Sequence, residues 1–84
     1  MKMVVMSVFD VASGVFARPI FVASVGSGVR MFSDEANRKA EDNVMFRHPT
    51  DFQLFELGSF DDNAGTFELL DRPMRRAVAS DLVM

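Results

Sequence analysis

Apolar residues crowd the first nine positions. Lys2 to Phe9 carries Met3, Val4, Val5, Met6, Val8 and Phe9, a run rich in Val and too short for a comfortable helix, so it reads as a strand. It ends in Asp10-Val-Ala-Ser-Gly14, which has turn chemistry: Asp bonds its own backbone and Gly accepts positive φ. Val15 to Ala23 then reads as the returning strand of a hairpin. Pro19 inside it has no amide proton for a ladder, which places this strand at a sheet edge or puts a bulge there.

From Gly28 to Asn43 the period changes. Val29, Phe32, Ala36 and Ala40 recur at spacings of three and four, the buried stripe of a helix. Asp34 with Arg38 and Glu35 with Lys39 are acid-before-base pairs on its exposed side. Ser24 or Ser27 can cap its start, and Pro49 forbids its continuation past His48. Phe52 to Phe60 reads as a third strand and Thr66 to Leu70 as a fourth, joined by Asp61-Asp-Asn-Ala-Gly65. After Arg72-Pro73, the residues Met74, Ala77, Val78 and Leu82 fall at helical spacing and predict a short C-terminal helix. The expected fold is α+β: an antiparallel sheet of two β-hairpins, one main helix on one face, and the short final helix, in the order ββαββα.

Two features of this pattern bear on function. Phe9-Asp10-x-x-x-Gly14-x-Phe16 recurs as Phe60-Asp61-x-x-x-Gly65-x-Phe67, at an offset of 51 residues. Either the chain consists of two related ββα halves, or two hairpins share common turn residues. The second feature is the first strand, which is apolar on both faces: Val4, Met6 and Val8 on one, Met3, Val5 and Phe9 on the other. One helix layer covers one face of a four-stranded sheet. A symmetric homodimer closing the other is therefore expected. The alternatives are terminal helices on both faces, or Phe side chains reserved for base stacking.

Composition sharpens this picture. Eighty-four residues make a single domain, 1–84. Without cysteine it has no disulfide and no thiolate metal site, so stability must come from a dense core or a partner subunit. Nine Phe stand beside no Trp and no Tyr, which favours a dry core or dry interface. A net charge of −3 argues against a non-specific nucleic-acid coat protein and confines any nucleic-acid contact to a local basic patch. No apolar run approaches the ~20 residues of a bilayer span, and a cytoplasmic protein is expected.

Catalytic chemistry is missing from the pattern. His48 is the sole histidine and has no convergent partners. Asp61-Asp62-Asn63 lacks the alternation of a calcium loop, and Gly65 stands one position early. Gly26-Ser27-Gly28 lacks the third glycine of a dinucleotide fingerprint and the lysine of a P-loop. No enzyme activity, cofactor or metal is expected. The candidate nucleic-acid contacts are the cluster Arg72, Arg75 and Arg76, read alternatively as a solvated helix face, and Arg30 beside the amides that open the main helix, read alternatively as a plain helix entry.

The opening Met1-Lys2-Met-Val-Val-Met-Ser-Val, with Asp10, Arg18-Pro19 and Phe21, resembles the start of the non-structural protein of gokushovirus-like microviruses, small icosahedral single-stranded-DNA phages. Val29-Arg30-Met-Phe32, Asp34-Glu35-Ala-Asn37-Arg38 and Glu41-Asp42-Asn43 are similar too. The most specific block is His48-Pro49-Thr-Asp51-Phe52, Leu54-Phe55-Glu56-Leu57-Gly58, Phe60-Asp61-Asp62 and Gly65. The resemblance runs in order from residue 1 to about residue 70 and does not extend past Arg72. It implies a non-enzymatic accessory protein of the host cytoplasm that engages viral single-stranded DNA or the replication complex during single-strand synthesis or packaging. The alternative is a protein-interaction module that binds a host or viral protein without touching DNA.

Overall fold

A computed structural model describes residues 1–84. The strands are β1 (Lys2–Asp10), β2 (Val15–Phe16), β3 (Ile20–Val22), β4 (Phe52–Asp61) and β5 (Thr66–Val78). Between β3 and β4 lie the helices α1 (Val25–Ala36) and α2 (Val44–Arg47), and short 3-10 turns occupy Pro49–Asp51 and Ala79–Asp81. All pairings are antiparallel. β2 and β3 share one side of β1, β4 takes the other, and β5 forms the far edge. The antiparallel α+β sheet is as expected; the ββαββα order is not. Three strands come first, both helices follow, and two strands close the chain.

The two echoing segments are two matching hairpins. Gly14 and Gly65 hold φ of 72° and 69°. Their amides donate to the Asp10 and Asp61 carbonyls at 2.8 and 2.7 Å. The Asp10 and Asp61 carboxylates accept the amides of Ala12 and Asn63 at 3.0 and 2.9 Å. Phe9 then faces Phe16 and Phe60 faces Phe67 across the two ladders. Because β1 and β4 are antiparallel neighbours with their hairpin partners outside them, the hairpins point to opposite ends of the sheet about an approximate two-fold axis. The likeness stops at the hairpins, since no helix follows β5.

The returning strand is broken where Pro19 stands. The Ala17 amide still donates to the Val8 carbonyl at 2.8 Å, Arg18 and Pro19 then leave the ladder before β3, and the buried Ser7 hydroxyl donates to the Ala17 carbonyl at 2.6 Å. That bond accounts for a polar residue at the centre of an apolar strand.

The main helix begins and ends earlier than its apolar stripe predicts. Ser24 caps it: its side chain accepts the Ser27 amide at 3.1 Å, and Ser27 Oγ accepts the Ser24 amide. Gly28 belongs to the buried face, where a Cβ would run into the sulfur of Met6 and touch Val22, so the glycine allows close helix–sheet approach. The helix stops at Ala36 because side-chain amides take its last carbonyls. Asn37 donates to Ser33 O at 2.9 Å, and the buried Asn43 donates to Glu35 O and Arg38 O at 2.8 and 2.9 Å. Phe32 and Ala36 are buried as expected and Val29 packs beside them, whereas Ala40 lies in the loop beyond. The helix's charged pair is consequently Glu35 with Arg38, at i,i+3. The Arg38 guanidinium hydrogen-bonds the Glu35 carboxylate and holds it below the usual glutamate range against a smaller opposing effect of burial. Asn43 also accepts the Phe46 amide and so caps α2, which ends at Arg47 ahead of Pro49.

The final helix does not form. The chain from Thr66 runs as one strand to Val78, with Val78, Ala77, Arg75 and Met74 opposite Gln53, Leu54, Phe55 and Glu56. A partner strand of ten residues outweighs a weak local period. Pro73 is accommodated because β5 is an edge strand and is bulged there: between the Gly58–Leu69 and Glu56–Met74 pairs, Leu57 alone opposes Leu70 to Pro73. The chain then turns under α1, burying Ala79 completely, and Asn37 bonds the Leu82 carbonyl and the Met84 amide.

Met6, Val22, Phe32, Ala36, Leu54 and Ala79 form the core between α1 and the sheet, with Val4, Val8 and Phe52 packed against it. All of it lies on one side of the sheet.

Two measurements check these assignments. Gly14→Ala and Gly65→Ala place a Cβ in open space at the same positive φ. Each is expected to lower unfolding free energy in urea by about 1–2 kcal/mol, and by similar amounts. Asn43→Ala removes the donor from two helix-end carbonyls and the cap from α2, with an expected loss of about 1–3 kcal/mol.

Candidate functional site

The sheet face turned away from α1 has no layer over it. Strand parity decides which residues it carries. Val4, Met6 and Val8 point into the core, so Met3, Val5, Ser7 and Phe9 point outward. The register carries the same face to the neighbours: Phe21 lies opposite Val5, Phe55 opposite Ser7, Phe60 opposite Met3, and Leu69 opposite Gly58. Six of the nine Phe residues stand on this face.

Their rings gather in two triads. Phe9, Phe16 and Phe55 have centroids 4.7 to 6.0 Å apart, with Phe55 edge-on to both others. Phe60, Phe67 and Phe21 have centroids 4.8 to 6.2 Å apart. Each triad is built on the cross-strand Phe pair of one hairpin, and these pairs are alike: 4.7 Å and 44° in the first, 4.8 Å and 50° in the second. The third ring differs in origin, Phe55 from β4 and Phe21 from β3. Such tilted and edge-on contacts suit the ring quadrupoles. Beside the second triad is a shallow apolar groove of about 510 Å³ lined by Val5, Pro19, Phe21, Leu57, Phe67 and Leu69. The rings are far from buried: Phe16 is 40%, Phe21 48% and Phe67 55% exposed, and Leu69 reaches 68%. A contiguous apolar surface of this kind on a small chain makes this face the candidate contact site.

Arginines stand at both edges of this face. Arg18 lies in the break between β2 and β3, next to the groove-lining Pro19, and Arg72 lies in the β5 bulge opposite Leu57. Arg75 is paired across the ladder with Phe55 of the first triad. All three are exposed, and none joins an ion pair. Both edges therefore bend at an Arg-Pro step, and each bend carries a free guanidinium.

The structure divides the arginines singled out in the sequence. Arg72, Arg75 and Arg76 are on a strand instead of a helix, so neighbours alternate between faces. Arg75 belongs to the aromatic face. Arg76 is held by Glu56, with Nε and Nη2 at 2.8 and 2.6 Å from Oε1, and Glu56 shares the side of Met6. Arg30 is exposed on α1, across the sheet from the aromatic rings. The amides that open α1 are partly taken by the Ser24–Ser27 capping box. His48 is exposed after α2, and the Asp61–Asn63 segment is an ordinary capped turn.

The sequence offers base-stacking Phe side chains only as an alternative, without positions, and does not single out Arg18 as a contact. The signal was present in the repeated Phe-Asp-x-x-x-Gly-x-Phe segments, because that spacing places two Phe opposite each other on the same face of a hairpin.

A family model described as Phage ORF5 protein matches residues 3–82. No curated protein and no solved structure matches the chain.

Proposed function

The chain belongs to the Phage ORF5 protein family, and from that premise we propose that it is a phage accessory protein whose uncovered aromatic face binds viral single-stranded DNA. The observation that carries this reading is the combination of six Phe on one open sheet face with unpaired arginines at both its edges. Every base has a π-face, so exposed rings bind single strands with little regard to sequence. Duplex DNA hides those faces inside its stack. Guanidinium groups beside the rings supply phosphate contacts and can themselves lie flat on bases. Four-stranded sheets that stack unpaired bases on surface aromatics are an established way to bind single strands. The net charge of −3 works against DNA as a whole, so the reading rests on this local patch alone.

Within this reading the chain is the non-structural protein of a gokushovirus-like microvirus. It acts without catalysis or cofactor in the host cytoplasm, during single-strand synthesis or packaging. Arg72 and Arg75 remain contact residues of the proposal, joined by Arg18. Arg76 and Arg30 take a lesser part, the first engaged by Glu56 and the second on the helix side.

A second reading is favoured by the groove, whose lining is almost wholly apolar and includes Leu69. Here the face is closed by protein: a second copy in a symmetric dimer, or a host or viral replication protein, without DNA contact.

The test is titration of labelled oligothymidylate at two salt concentrations. Single strands are expected to bind more tightly than duplex of the same length. Arg18→Ala, Arg72→Ala and Arg75→Ala combined are expected to reduce the slope of log affinity against log salt by about 2. Absence of wild-type binding at low salt sinks the DNA reading. Sedimentation at micromolar concentration addresses the second: a mass near 9.4 kDa throughout excludes the homodimer.

A further inference from the structure

We propose that the two Phe triads are separate base-stacking subsites for one DNA strand, which is therefore held at two points. This rests on the nucleic-acid reading above and says how the face is divided. The rings do not spread evenly over the sheet. They collect around Phe9 at one end and Phe60 at the other, as the two hairpins require. Phe60 lies opposite Met3 on β1, and Phe9 stands six residues further along that strand. At ~3.3 Å per residue these two outer rings are roughly 20 Å apart, and the triad centres roughly 15 Å apart because Phe55 and Phe21 lie further in, opposite Ser7 and Val5. On β1 and β4 the stretch between the triads holds Val5, Leu57 and Ser7, the first and last flanked by Phe21 and Phe55, and Ser7 is buried and bonded to Ala17.

The charges lie between the two groups of rings. Arg75 sits across from Phe55, the inner ring of the first triad. Arg18 falls between Ala17, bonded to Val8, and Ile20, opposite Met6, while Arg72 lies at the same stretch on the opposite edge. A strand lying from one hairpin to the other thus crosses a band of guanidinium groups between its two sets of rings. The approximate two-fold relation of the hairpins sets two similar ring pairs in opposite orientations, which suits repetitive bases better than a defined sequence. The roughly 15 Å between triad centres corresponds to between four and five nucleotide steps at stacked spacing of ~3.4 Å, more than the three steps of a stacked four-mer. A shorter oligomer reaches one triad only; a longer one reaches both, and its second contact is intramolecular.

The experiment compares four- and twelve-nucleotide oligothymidylates by fluorescence anisotropy at low salt. With wild-type protein the twelve-mer is expected to bind about a hundredfold or more tighter than the four-mer. Phe16→Ala and Phe67→Ala each remove the most exposed ring of one triad. Each is expected to abolish most of that advantage while changing four-mer binding less than about threefold, since one triad survives. Phe16→Leu and Phe67→Leu, which retain apolar volume, are expected to behave the same way, and circular dichroism verifies that each variant is folded. The double variant is expected to bind neither oligomer. If affinity rises smoothly with length and each single variant weakens both oligomers equally, the face is one continuous site and the two-subsite inference fails while DNA binding stands. If the wild type binds neither oligomer, the DNA reading fails and this inference with it.

Discussion

Where Gly28 of α1 passes over Met6 of β1, helix and sheet come as close as backbone and side chain permit. Around that contact the helix meets Val22, Phe32 meets Leu54, and the last turn of the chain brings Ala79 beneath. A chain of this length has one such contact to make. Twelve residues of α1 and four of α2 cover one side of five strands, and the interior of the protein is therefore on that side. The other side of β1 and β4 is as apolar as the first but receives only the strands' own neighbours. The aromatic face is thus a direct result of a two-layer fold built from strands that are apolar on both sides.

The rings on that face limit their contact with water by packing on one another, and this gives them their grouping. Each hairpin contributes a Phe pair just inside its turn, and a third ring from an adjoining strand completes the set. The edges of the sheet are treated alike. Both carry a proline that cannot extend a ladder, both are bent there, and both place an arginine at the bend. Bends and charges discourage another strand from adding at an open edge. They also put positive charge beside the exposed rings, the arrangement that the proposed DNA contact would use.

Much of this was legible in the residue pattern. The strand starting at Lys2, the turns at Gly14 and Gly65, the break at Pro19, and the burial of Phe32 and Ala36 all follow from local chemistry, and each stands in the structure. Two elements were misread for related reasons. The two glycines put the expected start of the main helix at Gly28, because glycine disfavours helices, yet α1 begins at Val25 and the close packing of Gly28 against Met6 outweighs that cost. Met74, Ala77 and Val78 look helical by spacing, but β4 offers each of them a ladder partner, a long-range fact that a local period cannot contain. The site was half visible. A two-sided apolar first strand announced an uncovered face. The arginine cluster after Asp71 was assigned to one helical surface, and a strand instead splits Arg75 from Arg76.

The pairing of β1 with β4 has a further consequence, for the order in which the molecule assembles. Each hairpin closes over four residues and forms on a microsecond scale without help from the rest of the chain. Joining the hairpins requires Met3 to find Phe60 and Phe9 to find Gln53, contacts separated by most of the sequence, and the entropy of closing that loop falls on one step. On the ribosome the first hairpin is complete long before β4 is synthesised. Until then Val4, Met6 and Val8 are as exposed as Phe9 and Phe16. The nascent chain passes through a stage with both faces of β1 open, and the interval before Phe52 to Asp61 emerges is when it is most vulnerable to joining the wrong strand.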